Sequence, residues 1–178
     1  MTGRAAVLLD ELERAVAESK PDRSAYALLG TAMTELVGFK VFTVLKLDPD
    51  TLRSVRLHSS EPTYPIGGRK QHVRSAWSEA VINRHIPFVA PGLAELRATF
   101  PDSAAIEKVG CGSVLAVPIV QDGVLLGTMN LWDRDGRYGP VDGDVALPFA
   151  GAIAPLLAGS PPVEQDGDGI PRASGSGT

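Results

Sequence analysis

Cysteine occurs once in the 178 residues, as Cys111. A single thiol excludes an intramolecular disulfide and a thiolate-rich zinc site, and it suits a reducing, cytoplasmic setting. Basic residues are short too: 17 Lys and Arg against 21 Asp and Glu give a net charge of −4. The densest basic group is Arg69-Lys70 with Arg74, too sparse for a phosphate-tracking face, so a nucleic-acid partner is not expected. The longest apolar run, Val114 to Val120, falls far short of the ~20 residues that span a bilayer. The start, Met1-Thr-Gly-Arg-Ala-Ala, has no signal-peptide core, so a soluble chain without a membrane partner is expected. His58, His72 and His85 lack metal-ligand spacing, and Gly67-Gly68 does not continue into a phosphate loop. No metal and no cofactor are therefore expected.

What the chain does have is concentrated in Ser113 to Asp133, SVLAVPIVQDGVLLGTMNLWD. Two apolar, β-rich runs meet at Asp122-Gly123, the strongest short-range hairpin signal a sequence offers. Strict alternation in the second run puts Val124, Leu126, Thr128, Asn130 and Trp132 on one face. Leu125, Gly127, Met129 and Leu131 then take the other. Both faces are mostly apolar, so both should be covered. Thr128 and Asn130 are polar groups in that setting and need partners, either in the protein or on a ligand.

The remaining chain, 44% hydrophobic and 21% charged, reads as one globular unit over 1–158. A Gly/Ser/Pro-rich tail over 159–178, expected to be disordered, follows it. A first helix is expected over Thr2–Ser19. A second follows Pro21, with Tyr26, Leu29, Met33, Leu36 and Val37 as its stripe and Gly38 as its stop. Phe39–Leu47 and Leu52–Ser60 form a strand pair turned at Asp48-Pro49-Asp50. A loop leads to a third helix over Val73–Arg84, facing Val73, Trp77, Ala80 and Val81 inward. A short strand, Pro87–Ala90, and an irregular helical insert over 92–109 precede the hairpin. The last helix is capped by Asp142 or Asp144. Its stripe is Val145, Phe149, Ile153, Leu156 and Leu157; Pro148 falls near its first turn, and Pro155 kinks or ends it.

This order of elements resembles the GAF domain family. So do several stretches: Phe39-Lys-Val-Phe-Thr-Val-Leu, Ala76-Trp-Ser-Glu-Ala-Val-Ile-Asn-Arg-His-Ile-Pro-Phe-Val, Ser113-Val-Leu-Ala-Val-Pro-Ile and Gly123-Val-Leu-Leu-Gly-Thr-Met-Asn-Leu. The resemblance covers roughly residues 5–158. It implies an α+β, GAF/PAS-like fold with a central antiparallel sheet in the order 2-1-5-4-3. Terminal helices lie on one face, and a small-molecule pocket lies on the other beneath the middle helix and the insert. That order makes the fourth strand internal. Pro118 then calls for a bulge or an unpaired amide, since it cannot donate to a ladder.

Candidate ligand-binding residues are Thr43, Tyr64, Trp77, Thr128, Asn130 and Trp132, with Cys111 and Ser113 at the start of the fourth strand. Asn130 and Trp132 are expected to line a cavity beneath the Trp77 helix and the insert. Each has a plainer reading: Trp77 as core, Cys111 as a small buried hydrophobe, Asn130 and Thr128 as partners of neighbouring backbone. His72 is the histidine nearest the expected pocket, and Arg69, Lys70 and Arg74 flank its mouth, either attracting a carboxylate or forming a solvated charge run.

The resemblance implies a sensory, regulatory domain in signal transduction that binds a small organic molecule and acts without a fused output domain. No kinase, cyclase or helix-turn-helix segment accompanies it. Alternatives are an enzyme of the free methionine-(R)-sulfoxide reductase type, or a dimerisation scaffold that binds nothing. Against the enzyme, such reductases use several cysteines and acidic pocket residues. Here the strand-five position reads Asn130, and Ser113-Val114 stands where Ser-Glu is typical. Cys111 is followed by Gly112 where bilin-binding members usually have histidine, and the residue set of cyclic-nucleotide-binding members cannot be assembled. A two-fold homodimer is expected through the first helix, by Leu8 or Leu9, Leu12 and Val16.

Overall fold

The computed structural model describes residues 3–18, 23–101 and 103–164. Of the expected tail, only 159–164 belong to that set; Pro21 and residues 165–178 lie outside it.

Six strands form one antiparallel sheet in the order β3-β2-β1-β6-β5-β4. They are β1 (Val41–Asp48), β2 (Arg53–Ser59), β3 (Arg69–Gln71), β4 (Phe88–Ala90), β5 (Ser113–Gln121) and β6 (Val124–Asp133). The expected five-strand order is contained in it as β2-β1-β6-β5-β4. β3, which reads as loop in the sequence, adds an edge strand beside β2. The β5–β6 hairpin turns at Asp122 (φ 52°) and Gly123 (φ 78°). Two positive φ values in succession are the type I′ turn that an Asp-Gly pair favours.

Register slips between Ile119 and Val120, where β6 holds one residue more than β5. This bulge changes the face assignment at the start of β6. Strict alternation groups Leu125 with Met129 and Leu131, and Leu126 with Asn130. Instead Leu125 packs with Val114 and Ala116 on one face, while Leu126 packs with Met129 and Leu131 on the other. An inserted residue reverses the parity of everything before it. Pro118 sits beside this bulge. β4 stops at Phe88, opposite Ala116, so β5 has no strand neighbour on that side at Pro118.

In chain order the helices are α1 (Gly3–Glu18), α2 (Arg23–Leu36), α3 (Ala76–Ser78), α4 (Leu93–Thr99), α5 (Ala104–Lys108), α6 (Pro140–Ala152) and α7 (Ala154–Ala158). α1, α2, α6 and α7 cover one sheet face, with Leu12, Leu29, Met33, Phe149 and Ile153 packed on Phe42, Val44 and Met129. α2 stops at Gly38 (φ 85°), whose N–H bonds the Met33 carbonyl at 2.7 Å. A left-handed glycine is the ordinary end of a helix.

Three expectations about helices change. The last helix is capped at Gly139, whose N–H is accepted by Asp142 Oδ2 at 2.8 Å, and Pro148 lies in its interior; the break expected at Pro155 is present, α6 ending at Ala152 and α7 carrying Pro155 in its first turn. The helix expected over Val73–Arg84 is one turn of α3 followed by a π-helical turn at Glu79–Asn83. Trp77 and Val81 are buried there, but Val73 is exposed. The proposed dimer stripe is already covered within the subunit: Leu8, Leu12 and Val16 are buried and Leu9 partly so, in the same core as α2 and α6. Within the subunit they are covered by α2 and α6, on which α1 lies. No helix of the described residues is long and apolar enough to cross a membrane.

Candidate functional site

β1 and β6 pair so that Thr43 lies opposite Asn130, Leu45 opposite Thr128 and Val41 opposite Trp132. All six side chains share the face away from the terminal helices, and all six line one cavity of about 250 Å³. That is just below the usual range for sites that enclose drug-sized ligands, ~300–1,000 Å³. Trp77 from α3, Phe100 after α4 and Ile106 from α5 roof it, and Tyr64, Arg56, Arg69, Lys70 and His72 form the side toward β2 and β3.

The floor is polar and nearly sealed. Thr43, Thr128 and Asn130 are 5%, 1% and 4% exposed. Asn130 Nδ2 donates to Thr128 Oγ1 at 3.2 Å and to Thr43 Oγ1 at 3.4 Å. Both bonds use the amide nitrogen, which leaves Asn130 Oδ1 as an acceptor and the two hydroxyl hydrogens as donors. The walls are aromatic. Phe100 stands 6.3 Å from Trp77 and 5.8 Å from Trp132, centroid to centroid. His72 stacks on Trp77 at 4.6 Å, and its Nε2 lies 2.8 Å from Ser54 Oγ, which fixes the imidazole plane.

The side toward β2 and β3 is cationic. Arg56 donates through Nη1 to the Pro65 carbonyl at 3.0 Å and lies over the Tyr64 ring at 5.2 Å. Burial pushes its guanidinium below the usual range, and Nε is buried without a hydrogen-bond partner among the described residues. A Cβ at Gly68 would run into Arg56 Nη1, so glycine there lets the guanidinium pack against the loop. Lys70 Nζ sits over the Phe100 ring at 5.4 Å, and Arg69 pairs with Glu164 at 2.7 Å. No Asp or Glu lines the cavity among the described residues.

Of the eight candidate residues, the structure brings six together: Thr43, Tyr64, Trp77, Thr128, Asn130 and Trp132. Cys111 and Ser113 do not line the cavity. Cys111 is 3% exposed among Val114, Ile106 and Ala116, and burial pushes its thiol up to about 11. Ser113 is fully buried at the start of β5, opposite Asp133, its Oγ without a partner among the described residues. Gly112 packs tightly against the Asp135 backbone, leaving that corner closed. Sequence reading missed Arg56 and Phe100. Strict alternation from Ser59, opposite Thr43, puts Arg56 on the other face of the sheet; the bulge at Val44/Leu45, where β2 holds one residue more, pairs Arg56 with Leu45 and turns it to the cavity.

The GAF domain profile matches residues 23–158, three quarters of the sequence. The chain belongs to the GAF domain family. No curated protein matches it. Among solved structures, this GAF domain is similar to the GAF domain of a phosphoenolpyruvate-protein phosphotransferase from Coxiella burnetii, at 15% identity and a TM-score of 0.69, covering 86% of this chain and 92% of that one. It is similar to free methionine-R-sulfoxide reductase from Neisseria meningitidis, at 15% identity and 0.63, covering 89% and 92%. It is also similar to the chromophore-binding domain of an unusual bacteriophytochrome from R. palustris, at 11% and 0.61, covering 85% of this chain but only 59% of that one. At these identities the likeness concerns the fold alone. GAF domains as a family are sensory and regulatory modules that commonly bind small ligands.

Proposed function

We propose that this GAF domain is a regulatory binding module that holds a small organic molecule in the cavity between the sheet and the α3–α5 layer. The observation that carries this reading is the Thr43–Thr128–Asn130 cluster. It is a buried set of donors and an acceptor at the floor of an aromatic-walled cavity, the usual composition of a specific ligand site. A scaffold that binds nothing would fill this space with its own side chains. Here about 250 Å³ stays open.

Binding without chemistry is favoured over sulfoxide reduction. A sulfur nucleophile must ionise and reach its substrate. Cys111 is the only cysteine, its thiol is pushed up to about 11, and it does not line the cavity. The test is a thermal-shift panel of small charged and neutral metabolites on the wild type and on Asn130→Leu. The reading expects at least one compound to raise the wild-type melting temperature and to lose that effect in the variant. A panel that shifts neither protein, or both alike, contradicts it.

A further inference from the structure

We infer that the ligand is a small planar organic anion, and that its anionic group takes the place of Glu164 on Arg69, coupling occupancy of the cavity to the C-terminal segment. This deepens the binding reading above and rests on it. Three observations converge. The cavity's described lining holds Arg56, Arg69 and Lys70 and no carboxylate, although the chain as a whole carries −4. A local excess of cations against the net charge selects for an anion. The opposite walls are the aromatic side chains of Trp77, Phe100 and Trp132, an apolar lining that suits a flat ring.

The third observation is the path of the chain after α7. Lys46 Nζ donates to the carbonyls of Leu157 and Ser160 at 2.9 and 2.6 Å, tying the end of α7 to β1. Four residues later Glu164 reaches the β3 edge, where Arg69 Nη2 donates to its Oε2 at 2.7 Å and Nη1 approaches its main-chain oxygen at 3.4 Å. A carboxylate of this chain thus already sits on a guanidinium that lines the cavity. The pair is exposed, Arg69 at 47% and Glu164 at 74%. Exposed pairs are weak, which is what an exchangeable contact needs. A ligand carboxylate on Arg69 competes with Glu164, and by linkage the segment and the ligand must weaken each other equally.

Benzoate is the probe and benzamide its neutral counterpart, followed by intrinsic fluorescence, since both tryptophans of the chain, Trp77 and Trp132, line the cavity. Benzoate is expected to bind about tenfold more tightly than benzamide, the increment of one charge-assisted bond. Glu164→Gln should tighten benzoate about 2- to 5-fold and leave benzamide unchanged. Arg69→Gln should weaken benzoate and abolish the effect of Glu164→Gln, a coupling the double variant reads directly. Both side chains are exposed, and unchanged melting temperatures would confirm that the variants fold. Benzamide binding as tightly as benzoate overturns the anion class while leaving an occupied cavity in place. Benzoate selectivity with no response to Glu164→Gln overturns the exchange. Saturation by neither probe overturns the planar-anion proposal, and the thermal-shift panel then decides separately whether the cavity binds anything.

Discussion

Asn130 lies directly across the β1–β6 ladder from Thr43, and its amide nitrogen donates to that residue's hydroxyl at 3.4 Å and to Thr128's at 3.2 Å. The three side chains depend on one another. Asn130→Ala removes the shared donor and leaves two buried hydroxyls unpartnered. The expected loss is about 1–3 kcal/mol in urea unfolding at neutral pH. A loss below a few tenths of a kcal/mol would mean that the cluster is already satisfied by water.

Gly127 shows what β6 demands of its neighbours. A Cβ there would run into the Leu45 carbonyl and lie 2.6 Å from Leu157 Cδ2. Gly127→Ala should destabilise by about 1–3 kcal/mol, as overpacking does. Gly151→Ala is the matched control. That helical glycine has nothing within 4 Å of the added carbon and should stabilise by about 0.4–1 kcal/mol. Thermal unfolding of the two variants side by side checks both signs.

His58 stacks on Tyr26 at 5.5 Å and packs at a tilt against Phe42 at 5.3 Å, and burial lowers its pKa. The unfolded chain therefore binds a proton there at a higher pH than the folded one. Stability rises with pH wherever that is so. His58 contributes fully above the unfolded value near 6.5, and the contribution falls as pH drops from there toward the folded pKa. Urea midpoints at pH 7.5 and 5.5 should differ less in His58→Phe than in the wild type. Equal differences would place the pH dependence on other groups.

With its thiol pushed up to about 11, Cys111 is protonated at neutral pH. Against an ordinary cysteine near 8.5 it carries on the order of 10²-fold less thiolate. Alkylation should be slow in the folded protein and become rapid in urea. Free methionine sulfoxide should not be reduced in the presence of a thiol reductant. Turnover that Cys111→Ser abolishes would contradict the non-enzymatic account.

Alternation and turn chemistry were enough to read the Asp122-Gly123 hairpin and the shared face of Thr43, Thr128, Asn130 and Trp132, whereas the sheet order came only from the resemblance to the GAF family. Those features depend on short-range rules, and β6 obeys them from Gly127 onward. The rest depends on events that periodicity does not record. The bulge at Ile119/Val120 exchanged the faces of Leu125 and Leu126, and the bulge at Val44/Leu45 hid Arg56. Arg69–Gln71 has no apolar alternation and became a strand only because β2 offered an open edge. The broad stripe on α1 was legible, but a stripe does not say whether its cover is a second subunit or, as here, α2 and α6.

Threonine-methyl NMR tests the central claim most directly, because Thr43 and Thr128 mark the cavity floor while Thr31 and Thr34 lie exposed on α2, on the other side of the sheet. The compound that most raises the melting temperature is titrated into the labelled protein. The account predicts saturable shifts of the Thr43 and Thr128 methyls, with Thr31 and Thr34 unmoved and the response lost in Asn130→Leu. Shifts confined to the α2 threonines, or none at any threonine, would contradict it.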